Sequence, residues 1–365
     1  MPIRILHIVT YMGRGGLETF LMNCFRHIDR EKVQFDFLVH REFRADYDDE
    51  IEALGGRIYR LPRLNPFSPA YHKALMDFFG HHPEYKIVHS HLDCMSAIPL
   101  AAAKKCGVPV RIAHSHNSNQ DKNLKYILKR YYMTKIPGVA THFFACSKMA
   151  GDFMFPGQNV FLVNNGIETE RFAFDPCIRK EVRIELDLAD RLVIGHVGRF
   201  MPQKNHTFLI DIFEQVYEQN RNARLLLVGE GPLEEQIRQK VASRGLTDAV
   251  IFLGVRADVH RILQAMDVFV LPSLYEGLGI AAVEAQASGA WCVLSDCVPE
   301  VCKMTENVEF VSLSKSAEGW ADIILKGNPK CRTGHQKELT AAGYDISTTA
   351  RWLQEFYADK ERISS

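Results

Sequence analysis

Leu192-Val193-Ile194-Gly195-His196-Val197-Gly198-Arg199 decides the fold, because it repeats in kind the stretch Arg4-Ile5-Leu6-His7-Ile8-Val9 near the start of the chain. Each is a short apolar run leading into a glycine-containing loop and then a helical pattern. Runs this apolar are buried on both faces, as in parallel sheets covered by helices. Working outward, the first run heads a series of strand candidates at Arg4–Val9, Gln34–His40, Arg57–Leu61, Ile87–His91, Val110–Ser115, His142–Cys146 and Val160–Val163. The second heads another at Leu192–Val197, Arg224–Val228, Val250–Leu253, Val268–Leu271, Trp291–Ser295 and Val308–Val311. Helical patterns such as Leu17–Ile28, Thr207–Asn220, Leu233–Ser243 and Ile280–Ser288 lie between them. Strand–helix alternation that starts twice predicts an α/β chain with two Rossmann-like domains facing across a cleft.

The charged stretch Glu168–Asp190, which contains Pro176, is the expected linker. This places an N-terminal domain at 1–168 and a C-terminal domain at 169–345. Beyond them, Trp352, Leu353, Phe356 and Tyr357 lie at helical spacing in a terminal segment, about 346–365, that is expected to pack back on the first domain. The length of 365 residues agrees with two domains at a prior of roughly 150 residues each.

Formal net charge is zero, so nothing at whole-chain level points to nucleic acid as a partner. Residues 1–175 are mildly basic, with 22 Lys and Arg against 18 Asp and Glu, and the remainder is mildly acidic. The nine cysteines form no C-x-x-C pair, which fits reduced thiols in the cytoplasm. The apolar start Ile3–Thr10 is too short for a secretory signal, and no apolar run approaches the roughly 20 residues that span a bilayer. The expected location is cytoplasmic, with a peripheral place on the inner face of the membrane as a variant of that reading.

Three loops at expected strand ends carry the chemistry. In open parallel sheets ligands bind at the carboxyl ends of strands. Gly13-Arg14-Gly15-Gly16-Leu17-Glu18 follows the first strand and opens a helix, where backbone amides can approach an anion. It is not the dinucleotide fingerprint, since Glu18 stands where G-x-G-x-x-G requires its third glycine. A tight strand–helix turn would look the same. Gly198-Arg199 and Lys204-Asn205 place two cations on one loop, a pattern able to embrace a diphosphate and equally one that a solvated basic loop shows.

The third loop is the most informative. Pro272-Ser273-Leu274-Tyr275-Glu276-Gly277-Leu278-Gly279-Ile280 runs into Ala281-Ala282-Val283-Glu284-Ala285. Gly277 and Gly279 allow a sharp turn, and the helix from Ile280 offers free N–H groups to a phosphate. Glu284, among small apolar residues, is expected to be partly desolvated and in want of hydroxyl donors such as those of sugar and ribose.

Histidines follow two successive strands at His89, His91, His114 and His116. Beyond Asp93 no acid or cysteine completes a metal site near them, so no metal is expected. His116, nearest the loop, is the candidate for touching substrate, whereas His7, His40 and His196 read as ordinary satisfied histidines. Asp46-Tyr47-Asp48 has a D-x-D spacing but belongs to an acidic run opening a helix. The basic, aromatic-rich segment 122–135 leaves two readings open: a helix resting on anionic lipid, or one with an apolar core face and a lysine-decorated outer face.

Taken together, these motifs resemble glycosyltransferase family 4, the retaining family with the GT-B fold. The likeness runs from Gly15-Gly16-Leu17-Glu18 through His91, His116 and Asn165-Gly166-Ile167 to Gly198-Arg199, Lys204-Asn205, Pro272-Ser273 and the E-x7-E pair Glu276 and Glu284. The wording of the N-terminal half is similar to members acting in bacterial capsule or exopolysaccharide synthesis.

The resemblance implies a hexosyltransferase that moves a sugar from a nucleotide-sugar, UDP by family habit, to a saccharide or lipid-linked acceptor. The N-terminal domain would bind the acceptor and the C-terminal domain the donor. Arg199 and Lys204 would hold the pyrophosphate, Glu284 the ribose hydroxyls, and Glu276 with the backbone of Gly277, Leu278, Gly279 and Ile280 the donor sugar and its phosphate. Gly15 and Gly16 would approach the phosphate, and His116 would sit by the reactive side of the sugar. No cofactor or metal is implied. Leu278 stands where many members carry Phe. A non-catalytic nucleotide-sugar-binding partner subunit and a nucleotide-sugar epimerase share the architecture; retention of the full residue set speaks against the first. The failed fingerprint disfavours an NAD-dependent oxidoreductase.

Overall fold

The computed structural model describes residues 2–117, 126–327, 332 and 334–364. Its first sheet contains seven strands: β1 (Ile3–Ile8), β2 (Val33–Val39), β3 (Ile58–Arg60), β4 (Ile87–Ser90), β5 (Val110–Ser115), β6 (His142–Ala145) and β7 (Val160–Leu162). The second contains six: β8 (Leu192–Val197), β9 (Ala223–Val228), β10 (Val250–Gly254), β11 (Val268–Leu271), β12 (Trp291–Ser295) and β13 (Val308–Val311). The order is β3-β2-β1-β4-β5-β6-β7 in one and β10-β9-β8-β11-β12-β13 in the other, and the paired strands are parallel. Both are doubly wound sheets. The winding reverses between β1 and β4 and between β8 and β11, the kind of position at which open parallel sheets bind ligands.

Two compact units result. One comprises Met1–Gly166 with Asp345–Ser365, and the other Ile167–Tyr344. The terminal helix Ile346–Ser364 belongs to the first unit because its apolar stripe, Ile346, Ala350, Leu353 and Tyr357, is buried with Ile5, Phe25, Phe35 and Ile87. In the second unit Phe269, Leu271, Ala282, Val283 and Leu294 share a core under one sheet face. Val268, Val270 and Val293 point to the other face and pack with Leu209, Phe213 and Trp320. Burial on both faces is what made these strands continuously apolar in sequence.

The stretch Glu168–Asp190 is not the irregular linker expected of it. Pro176–Glu185 is a helix, begun by Asp175 accepting from the N–H groups of Cys177 and Ile178, with Pro176 in its first turn. Its charge is used internally: Arg179 donates to Asp267 at 2.5 Å and Arg183 at 3.3 Å, and Asp267 also accepts from Val193 N–H at 2.8 Å. Asp48 of the D-x-D triplet is buried and paired with Arg60. The eight cysteines among the described residues are free thiols, and no helix among those residues is long and apolar enough to cross a membrane.

Candidate functional site

In the second unit the two loops at the switch point are stitched together. Leu274 N–H donates to Gln203 C=O at 2.8 Å, Gln203 Nε2 to Tyr275 C=O at 2.9 Å, and Asn205 Nδ2 to Pro272 C=O at 3.1 Å. Across this seam Lys204 Nζ donates to Glu276 Oε1 at 2.6 Å, with the Glu276 side chain 6% and the Lys204 side chain 19% exposed. Gly198 lets the seam close: a Cβ there would lie 2.9 Å from His196 Nε2 and 3.3 Å from the Lys204 stem. Arg199, next to it, is exposed. Among the described residues its guanidinium has no hydrogen-bond or ionic partner.

Gly279 caps the helix Ile280–Ala287 with φ of 86°, a left-handed conformation that a side chain would strain. Leu278 is buried in front of it. One turn in, Glu284 is 8% exposed between buried Val283 and Ala285. Burial pushes its carboxyl up to about 8, against the pull of the Arg171 charge. No donor reaches the Glu284 carboxylate among the described residues. A carboxylate so placed gains most from a ligand that brings hydroxyl groups to it. Lys204, Glu276, Gly277, Leu278, Gly279, Ile280 and Glu284 are thus brought together, with Arg199 on the same stitched loop. Sequence reading missed Gln203, although its place between Arg199 and Lys204 marks it.

In the first unit, Gly15 caps the helix Gly16–His27, and the space over Gly15 is taken by the Glu18 carboxylate, 2.3 Å from where a Cβ would stand. That helix sends Phe20 against His114 and His116, with ring centroids 6.3 Å away in each case. Asp93, half-buried, accepts from His116 N–H at 3.2 Å and Asn117 Nδ2 at 2.8 Å. Burial pushes the Asp93 carboxyl up, and the bonds from Asn117 and His116 oppose that. Gly15, Gly16 and His116 therefore share one unit, and the donor-site set above shares the other.

His40 is satisfied as expected, by Val9 C=O and Tyr71 Oη. His7 and His196 are not: each has one bonded nitrogen, while its Nε2 is buried with no partner among the described residues. His7, His89 and His91, and likewise His91, His114 and His116, lie close enough to invite a metal. Within these groups His89 stacks on His91 at 4.2 Å, the tilted rings of His114 and His116 lie 4.0 Å apart, and His91 lies 5.2 Å from His114 and from His116. Hydrogen bonds join His7 to His91, His89 to His114 and His91 to His116.

Known proteins match this architecture. Residues 14–171 match the family model described as Glycosyltransferase Family 4, and residues 191–326 the model described as Glycosyl transferases group 1. EpsF of Bacillus subtilis, which is named as a glycosyltransferase, is 36% identical over 97% of this chain and 96% of its own. CapH of Staphylococcus aureus, named a capsular polysaccharide biosynthesis glycosyltransferase, is 26% identical over 98% of this chain and 99% of its own. The crystal structure of Anabaena HepE in complex with UDP and glucose superposes with a TM-score of 0.81 at 19% identity, over 98% of this chain and 99% of HepE. That likeness identifies the fold as GT-B.

Proposed function

The chain belongs to glycosyltransferase family 4, and from that premise we propose that it moves a hexose, with retention, from a UDP-sugar to a saccharide or lipid-linked saccharide acceptor in bacterial cell-surface polysaccharide synthesis. The polysaccharide reading rests on CapH by name, and the UDP reading on the ligands of HepE. The observation that carries the site assignment is the pairing of Lys204 with Glu276 at one sheet's switch point, beside buried Glu284, which no donor reaches among the described residues.

Lys204 has three donors and gives one to Glu276, leaving the others for a phosphate oxygen. With Arg199 and the N–H groups opening the helix Ile280–Ala287, it would stabilise the leaving diphosphate, the work a metal does elsewhere. No metal or cofactor is therefore assigned. Glu284 would accept from the ribose hydroxyls, and Glu276 with Gly277, Leu278, Gly279 and Ile280 would hold the sugar and its phosphate. Gly15 and Gly16 are assigned to the phosphate and His116 to the reactive side of the sugar. In transfer, the bond from the acceptor oxygen to the anomeric carbon forms on the face from which the phosphate departs. The acceptor's proton passes to the departing phosphate oxygen.

Peripheral membrane contact is part of the proposal. Residues 122–125 of the basic segment lie outside the described residues. The helix Tyr126–Lys135 turns outward a face of Ile127 (81% exposed) and Tyr131 (54%) beside Arg130 and Lys135, apolar and basic groups together as at a lipid surface.

The test is Glu276→Ala in the full-length protein. Turnover at saturating donor is expected to fall at least about 100-fold, the scale of losing a preorganised polar contact at the reacting centre, while the variant still melts cooperatively. A folded variant with near-wild-type turnover would remove Glu276 from the site.

A further inference from the structure

Five histidines lie side by side in the first unit, and two hydrogen-bonded rows connect them. In one, His7 Nδ1 meets His91 Nε2 at 3.0 Å, and His91 Nδ1 meets His116 Nε2 at 3.0 Å. In the other, Tyr357 Oη meets His89 Nδ1 at 2.7 Å, and His89 Nε2 meets His114 Nδ1 at 3.1 Å. The first row runs from β1 to the loop after β5, and at both ends it stops in a buried nitrogen, His7 Nε2 and His116 Nδ1, that has no partner among the described residues.

Burial pushes His7 and His116 down to about 3 and His91 well below its ordinary value. The three rings are neutral at pH 7, so each carries one proton on one of its two nitrogens. Two bonds between three such rings can point only one way at a time. Either all three protons sit on Nδ1 and point toward His116, or all sit on Nε2 and point toward His7. Each arrangement leaves one unpaired N–H on a buried end nitrogen. In the second it lies at fully buried His7, against Phe35 and Phe37, where no oxygen can reach it. In the first it lies at His116, which is only half-buried and is the one end where an incoming oxygen can satisfy the donor, so the first is favoured. Asp93 already fixes the His116 backbone.

We propose that His7, His91 and His116 act as one row that locks His116 in the Nδ1–H tautomer, so that this nitrogen is presented as a donor to an oxygen of the bound sugar or phosphate, with His91 as the positioning residue. The inference rests on the assignment of His116 to the reacting sugar made above. His91 need not touch substrate, because the hydrogen bond made by one imidazole nitrogen dictates the protonation of the other.

Two experiments test it. In wild-type protein with 15N-labelled histidine, long-range 15N–1H correlation spectra are expected to show His7, His91 and His116 protonated on Nδ1. Protonation of His116 on Nε2 would overturn the proposal without any variant having to fold. Second, His91→Phe keeps the volume and breaks the row, whereas the amide of His91→Gln can still accept from His7 and donate to His116. Expected is a fall in kcat of about tenfold for His91→Phe with donor KM within about twofold, and recovery of most of the loss in His91→Gln. A folded His91→Phe with wild-type kcat, or a His91→Gln as impaired as His91→Phe, would overturn it. Full activity in His116→Ala would instead remove the assignment on which the row's purpose rests, while the spectra still report the tautomer.

Discussion

Glu284, assigned here to the ribose hydroxyls, is held in place at the expense of stability. Its folded carboxyl is pushed up to about 8 from an ordinary 4.5, so the folded state holds the proton more tightly than the unfolded state does. The sign follows directly: the folded protein is favoured below the ordinary value, and that advantage is lost as pH rises from 4.5 through 8. Glu284→Gln, which carries no charge to bury, is expected to raise the melting temperature of the ligand-free protein. The gain should be small at pH 5 and on the order of 5 °C at pH 8. Donor affinity should fall roughly tenfold, the worth of a hydrogen bond to a charged acceptor. Thermal melts across that range, with and without UDP-sugar, check both parts; a variant less stable than wild type at pH 8 would contradict them. The residue was legible in sequence because an acid among alanines one turn into a helix is conspicuous. The histidine row was not, because His7 meets His91 only through the β1–β4 pairing, and sequence separation hides that register.

Among elements, the strands were the legible part. Burial on both faces writes a strand such as β11 or β12 as an unbroken apolar run, and their expected spans coincide with the observed ones. The helix Pro176–Glu185 was missed because its charges, Arg179 and Arg183, serve Asp267 inside its own unit and so disguise a packed helix as a linker. Asp175 followed by Pro176, a cap and a first-turn proline, was the available signal. The helix Tyr126–Lys135 belongs to the other extreme, with apolar side chains turned outward. Binding to vesicles containing anionic lipid is expected to weaken as salt rises, and to drop severalfold when Lys125, Lys129 and Arg130 are neutralised together. Equal sedimentation of that variant with the vesicles would exclude this face.

For the whole molecule, the two strand series became two parallel sheets of the same winding, with the candidate residues on loops that follow strands: at the switch point in the second sheet, and after β1 and β5 in the first. The terminal helix joins the first unit because Ile346, Leu353 and Tyr357 complete that unit's core. What the amino-acid pattern could not specify was which side chains pair inside a site. The bond between Lys204 and Glu276 joins residues 72 positions apart. That bond puts a cation and the acid assigned to the sugar on one seam, and it underlies the proposal that the chain consumes a nucleotide-sugar without a metal.

The most direct measurement is release of nucleoside diphosphate from a panel of UDP- and GDP-hexoses in the presence of EDTA, with Glu276→Ala run in parallel. The wild-type protein is expected to consume one UDP-hexose and the variant none. Consumption that stops when EDTA is added, equal consumption by the variant, or a wild-type protein that consumes none of the panel would contradict that expectation.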